Sequence, residues 1–194
     1  MNETVNAGTD NEEWLMVIQN AGKSNMYGIE LESTWMVTAI DTVNLGFSSM
    51  TGKYNDLIIH DDTQSSPWST GSTSSYNMQD LQMSNLPKVN IQLGYQHTFD
   101  LVTYGMLTTN LSTNYKTKYY NNVMTYIEGA KVPAHHISDF YLNWISPEGM
   151  WSANAYVKNI ENKAIAVMAQ TGTDESTIML NAPRTYGIAF KVKY

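Results

Sequence analysis

Tyr186-Gly187-Ile188-Ala189-Phe190-Lys191-Val192-Lys193-Tyr194 is the stretch that decides how the rest of the sequence is read. In an extended chain successive side chains point to opposite faces. Tyr186, Ile188, Phe190, Val192 and Tyr194 therefore share one face, and Gly187, Ala189, Lys191 and Lys193 the other. One face is wholly apolar and the other small or cationic. Such a strand fits a wall between hydrocarbon and water, and the terminal aromatic places a ring at the interface, where amphipathic rings prefer to sit. The pattern is that of the closing strand of a transmembrane β-barrel. A strand of a soluble β-sandwich also alternates, so the decision passes to the remaining residues.

Working outward, the composition favours the same wall. The 194 residues are 42% hydrophobic, which suits one ordinary domain, yet they include 13 Tyr and 5 Trp against only 15% charged residues. Asn, Ser and Thr make up much of the rest, a balance suited to aromatic girdles around an uncharged polar lumen. The longest apolar runs, such as Trp14-Leu15-Met16-Val17-Ile18, fall far short of the ~20 residues a membrane-crossing helix needs, which excludes a helical membrane protein. Alternating strands average to a soluble-looking hydropathy, and the mean of -0.34 is compatible with them. The absence of cysteine removes disulfides, thiolate metal sites and cysteine nucleophiles from consideration. A net charge of -7, with Arg184 the single arginine and no basic cluster, argues against nucleic acid as a partner.

About eight strands are expected, without a repeat of fixed period. The first covers 12–19, and Asn20-Ala21-Gly22-Lys23-Ser24 turns it into the second at 25–37. There Tyr27, Ile29, Leu31, Trp35 and Val37 oppose Gly28, Glu30, Glu32 and Thr34. The third spans 43–54. In the fourth, Val89, Ile91, Leu93, Tyr95 and Phe99 oppose Asn90, Gln92, Gly94, Gln96 and Thr98. The fifth, 103–120, is longer than the roughly 3–10 residues usual in soluble proteins. The sixth sets Phe140, Leu142 and Trp144 against Asp139, Tyr141 and Asn143. Ser146-Pro147-Glu148-Gly149 then leads to the seventh, whose alternation is followed over 151–158.

Connections alternate in length. Short links near 38–42, 99–103 and 146–150 alternate with long ones at 55–86, 121–133 and 162–182. Outer-membrane barrels have short periplasmic turns and long extracellular loops, so Trp35, Phe99, Trp144, Trp151 and Tyr194 are expected to gather at the periplasmic interface. A soluble sandwich gives no reason for that alternation.

Several segments resemble the carboxy-terminal part of TonB-dependent receptors, the outer-membrane importers of iron chelates and other scarce nutrients. Asn20-Ala21-Gly22 through Gly28-Ile29-Glu30-Leu31-Glu32 looks like the family's N-A-G-x-x-x-x-G-x-E-x-E hairpin. Leu86-Pro87-Lys88 with the alternation that follows is similar to the strand re-entering the barrel after a long loop. Residues 151–163 look like the penultimate strand, and Ala182-Pro183-Arg184-Thr185-Tyr186-Gly187-Ile188 like the approach to the last. The resemblance implies a barrel of about 22 strands around an amino-terminal plug that contacts TonB, in the outer membrane of a Gram-negative bacterium. Residues 1–194 would be only the last third or so of it. Plug and TonB box are not found in these residues, nor does Met1-Asn2-Glu3-Thr4-Val5-Asn6 read as an export signal. By the same resemblance Tyr186, Gly187, Ile188, Phe190, Val192 and Tyr194 form the signal read by the barrel-assembly machinery, with outer-membrane lipid, TonB and an iron chelate or other nutrient as further partners. The alternative is a complete small eight-stranded barrel with a structural or adhesive role, its interior filled by side chains.

Catalytic and metal chemistry finds little to build on. His135 and His136 are adjacent, so on a strand they point to opposite faces and do not readily share an ion. His60-Asp61-Asp62 offers imidazole and carboxylates inside the longest loop, where a solvated tip is the simpler reading. No nucleophile elbow, phosphate-binding glycine loop or HExxH is present, and no cofactor or enzyme activity is expected. Glu30 and Glu32 fall on the lumen face, as polar wall or as lining of a transport path. The twelve Met are scattered and read as packing.

Overall fold

The computed structural model describes residues 2–5, 13–16, 22–61, 74–125, 128–171 and 176–193. Its strands are β1 (Asn2–Val5), β2 (Glu13–Met16), β3 (Gly22–Met36), β4 (Asp41–Asp61), β5 (Ser74–Asn77), β6 (Val89–Asp100), β7 (Met106–Lys116), β8 (Tyr119–Tyr120), β9 (Lys131–Val132), β10 (His135–Ile145), β11 (Trp151–Lys158), β12 (Ala166–Thr171), β13 (Ser176–Leu180) and β14 (Thr185–Val192). No helix among the described residues is long and apolar enough to cross a membrane.

Seven of these strands form one antiparallel meander in the order β14-β11-β10-β7-β6-β4-β3, with β5 added beside β4. The register makes the two faces explicit. Trp35, Val43, Tyr95, Leu111, Phe140, Val157 and Tyr186 are cross-strand neighbours in one row that traverses all seven strands. A row on the opposite face reads Thr34, Asn44, Gly94, Ser112 and Asp139. A slip of one residue at any ladder would put apolar side chains on the polar face, so the alternation itself fixes the pairing.

Large apolar side chains on the first face stay uncovered: Tyr27 is 71% exposed and Phe190 78%. Extensive contacts between strands are confined to ladder neighbours, so among the described residues no second sheet packs against that face as a sandwich requires. Hydrocarbon is the solvent such a face suits. The buried apolar residues, among them Leu57, Met78, Ala130, Val132 and Ala169, lie instead at the long-loop end of β4 and in the long links.

Short links join β3 to β4, β6 to β7 and β10 to β11, and each is locked by its own polar groups. Gly149, at φ 69, completes the turn after Ser146, whose hydroxyl accepts the Trp151 N–H at 3.1 Å. Gly105, at φ 89, follows a 3₁₀ turn at Val102–Tyr104, which is why β7 begins at Met106 rather than 103. Trp35, Phe99, Trp144 and Trp151 all sit at this short-turn rim; Tyr194 lies outside the described residues.

The strands differ from the sequence expectation where tertiary pairing outruns alternation. β4 continues to Asp61 instead of stopping near 54, because its far half pairs with Gly22–Ser24 of β3 and then with β5. Gly22, Lys23 and Ser24, expected in a turn, are therefore strand, with a bulge between Lys23 and Ser24. The strand expected over 12–19 appears in the described residues as β2, paired with β1 apart from the meander. Two long links carry hairpins of their own, β8–β9 and β12–β13.

Candidate functional site

The polar face is the surface a solute would meet. Alternating Asn, Gln, Ser, Thr and Gly keep it hydrophilic with little formal charge, and Glu32, Thr34, Asn44, Gln92, Asn114 and Asp139 line a recess of about 590 Å³ on it. Glu32 faces Gly46 across the ladder, where a Cβ would come within 3.2 Å of Gln92 Oε1. Glu30 lies one row further toward the long-loop rim, opposite Ser48. Both glutamates thus occupy the face assigned to them by alternation.

Toward β14 the same face becomes aromatic. Tyr141, Tyr156 and Gly187 are consecutive cross-strand neighbours. The Tyr156 ring lies over Gly187 so closely that a Cβ there would sit 2.8 Å from its hydroxyl oxygen and 2.9 Å from Cζ. Lys158 extends along the two rings, its ammonium 5.4 Å from the Tyr156 centroid and 6.0 Å from that of Tyr141.

On the apolar face of β14, Tyr186, Ile188, Phe190 and Val192 project together, with Gly187 on the reverse. This strand pairs with β11 along one edge, and its other edge has no ladder partner among the described residues. Five of the six residues expected to form the assembly signal are therefore brought into one strand; the sixth, Tyr194, is not described.

Two polar clusters were not foreseen from sequence. At the short-turn rim, and on the apolar face, Asp41 accepts hydrogen bonds from Tyr95 Oη at 2.6 Å, from His97 Nδ1 at 2.6 Å and from Thr38 Oγ1 at 2.5 Å. The Asp–His contact has the form of a catalytic dyad, but both neighbouring hydroxyls, of Tyr95 and Thr38, donate to the carboxylate itself. The cluster instead fastens the β3–β4 turn to β6. Fifty-six positions separate Asp41 from His97, and only the Thr38-to-Asp41 spacing signals a turn lock in the sequence.

At the long-loop rim, Glu161 accepts the Ser138 N–H at 2.9 Å and lies 3.5 Å from His136 Nε2. Partial burial alone would raise the Glu161 carboxyl. The Ser138 hydrogen bonds and the positive form of His136 outweigh that and hold it below its ordinary value. Asn159, almost fully buried, donates through Nδ2 to the carbonyls of Lys163 and Ala182 and accepts the Lys163 N–H through Oδ1. Asn159 and Asn162 both adopt positive φ, which asparagine tolerates better than most residues, so the Asn-x-x-Asn spacing was a legible signal for this turn.

His135 and His136 diverge. The first, on the polar face opposite Lys116, contacts the Pro133 carbonyl at 2.9 Å, and the second, opposite Tyr115, turns to Glu161. Among the described residues no group of three or more His, Asp or Glu could hold a metal. The side chains of His60, Asp61 and Asp62 lie outside the described residues.

Known proteins share this architecture. The ferric yersiniabactin uptake receptor FyuA from Yersinia pestis superposes with a TM-score of 0.69 at 18% identity, covering 90% of this chain and 24% of the receptor. The siderophore receptor PiuA from Acinetobacter baumannii gives 0.66 at 17% identity, covering 89% of this chain and 22% of the receptor. The chain thus spans about a quarter of the length of these solved receptors. No curated protein matches the sequence. The family model described as TonB dependent receptor-like, beta-barrel matches residues 2–160, and the chain belongs to that family.

Proposed function

We propose that residues 1–194 form the C-terminal part of the barrel of a TonB-dependent outer-membrane receptor that imports an iron–siderophore complex or another scarce nutrient. The observation that carries the reading is a seven-stranded wall, apolar outside and amide-rich inside, in a chain of this family. The wall is transport scaffolding rather than a catalytic centre. Its polar face lines the passage, its apolar face meets outer-membrane lipid, and the long loops stand on the extracellular side. The two solved receptors are named for siderophore uptake, and the substrate class is carried over from them. Coupling to TonB would run through a plug enclosed by the complete barrel.

Strand direction requires strands beyond the seven of the meander. An odd number of antiparallel strands leaves β3 and β14 running the same way, so they cannot close antiparallel on each other. An odd number of further strands must intervene. Barrels of about 22 strands and of eight both meet that condition, leaving about fifteen and one, so the larger barrel rests on the family match.

The test is uptake of radio-iron presented as a panel of ferric chelates, in a strain deleted for the full-length gene. Deletion should abolish uptake of at least one chelate, and the gene should restore it only where TonB is functional. Restoration without TonB, or by residues 1–194 alone, would sink the proposal.

A further inference from the structure

The three long links, 62–88, 117–134 and 159–184, leave the wall at different strands, yet their described parts meet at one place in the middle link. Met124 is packed against two separate buried clusters. One is Leu57 with Met78, from the end of β4 and the residue after β5; the other is Ala130 with Ala169, from the middle link and β12. Val123 joins the first of these contacts. Ala130 and Ala169 are wholly inaccessible, a degree of burial that no side chain in the membrane-facing rows attains.

Hydrogen bonds hold Met124 in position. Asn122 Oδ1 accepts the Met124 N–H at 2.9 Å, while its Nδ2 donates to the Ala169 carbonyl at 2.7 Å. Asn121 Nδ2 donates to the Gly129 carbonyl at 3.2 Å and to the Ala166 carbonyl at 2.8 Å, tying the middle link to itself and to β12. Toward the first link, the Asn85 N–H donates to the Tyr120 carbonyl at 2.6 Å. Gly129, at φ +78, lies against Ile178 of β13 so closely that a Cβ there would come within 2.6 Å of it. Apolar packing, side-chain amides and a backbone bond thus converge on 120–130 from both neighbouring links.

We propose that the middle link is a keystone that joins the described parts of the three long links into one cooperative unit, which opens locally as a whole rather than link by link. Loops with few buried contacts open singly, whereas elements sharing buried contacts open as a unit. Asn122 and Met124 set the coupling, because the first fixes the second and the second touches both neighbours.

Hydrogen exchange on the full-length protein in detergent tests this, with Asn122→Ala and Met124→Ala compared with Lys118→Ala, an exposed position outside the joint. Both joint variants should exchange at least about tenfold faster in 78–86 and 176–180 as well as in 117–134, with 106–116 unchanged. The rise in 78–86 for Asn122→Ala is decisive, since among the described residues the Asn122 side chain bonds only to Ala169 and Met124. Faster exchange confined to 117–134, or the same spread in Lys118→Ala, would overturn the proposal. So would failure of both joint variants to assemble, because the keystone lies beyond the ends of the wall strands.

Discussion

Asn159 follows β11 in a backbone conformation, φ 53, that most side chains resist, and its buried side chain satisfies three backbone groups of the turn. Replacing it with alanine removes those bonds and adds left-handed strain, a loss of about 2–4 kcal/mol. Asn159→Gly loses the bonds but not the conformation, and should be milder by about 1 kcal/mol. Thermal melting of the full-length protein in detergent checks the order; equal losses would show that φ contributes nothing. Two residues further on, Glu161 gives the rim a pH dependence. Its folded-state carboxyl titrates below the ordinary 4.5, so its contribution is complete above that value and disappears as pH falls through the lowered one. Glu161→Gln should therefore melt below the wild type at pH 6 and approach it near pH 3. A difference that persists unchanged at the acid end would show that the charge is not responsible.

At the scale of the element, β14 presents different chemistry on its two faces. Ile188 and Phe190 project to the apolar side, while Ala189 and Lys191 project to the polar side. We expect the strand to act as the assembly signal, so Phe190→Asp should lower outer-membrane abundance of the full-length protein. Lys191→Asp, one residue away but on the watery face, should leave it near wild type. A charge at mid-bilayer costs up to about 2–4 kcal/mol for Arg or Lys and less for Asp, which is enough to separate the two. Equal surface levels would remove β14 from that role. The legibility of the strands follows from the same physics. β11 was readable from its start at 151, because strict alternation follows the turn signal at Gly149, but its end at Lys158 was not, the next link being expected only from 162. The far half of β4 was not readable either, because beyond Tyr54 its pairing is decided by β3 and β5 rather than by any alternation of its own. The apolar face of β14 was visible as a local pattern. The Asp41–His97 cluster, the Glu161 rim and the Asn122–Met124 joint are made by residues distant in sequence, and no periodicity encodes such meetings.

The whole molecule is a sheet with two unsatisfied edges. Along β3, Gly22–Met36, and along β14, Thr185–Val192, one side of each strand has no ladder partner among the described residues. In hydrocarbon each bare N–H or C=O costs several kcal/mol, so neither edge can face lipid. Curling the sheet does not solve this, because the two edges point the same way and antiparallel pairing requires opposite directions. Residues 1–194 expressed alone and refolded into detergent should therefore associate edge to edge and aggregate. They should show no discrete monomer whose mobility shifts on boiling, whereas the full-length protein should show one. Supplying the remaining strands as a second fragment should recover that monomer, since they present complementary edges to both β3 and β14. A boiling-sensitive monomer formed by residues 1–194 alone would mean that an unseen strand closes the meander, and would establish the small barrel in place of the large one.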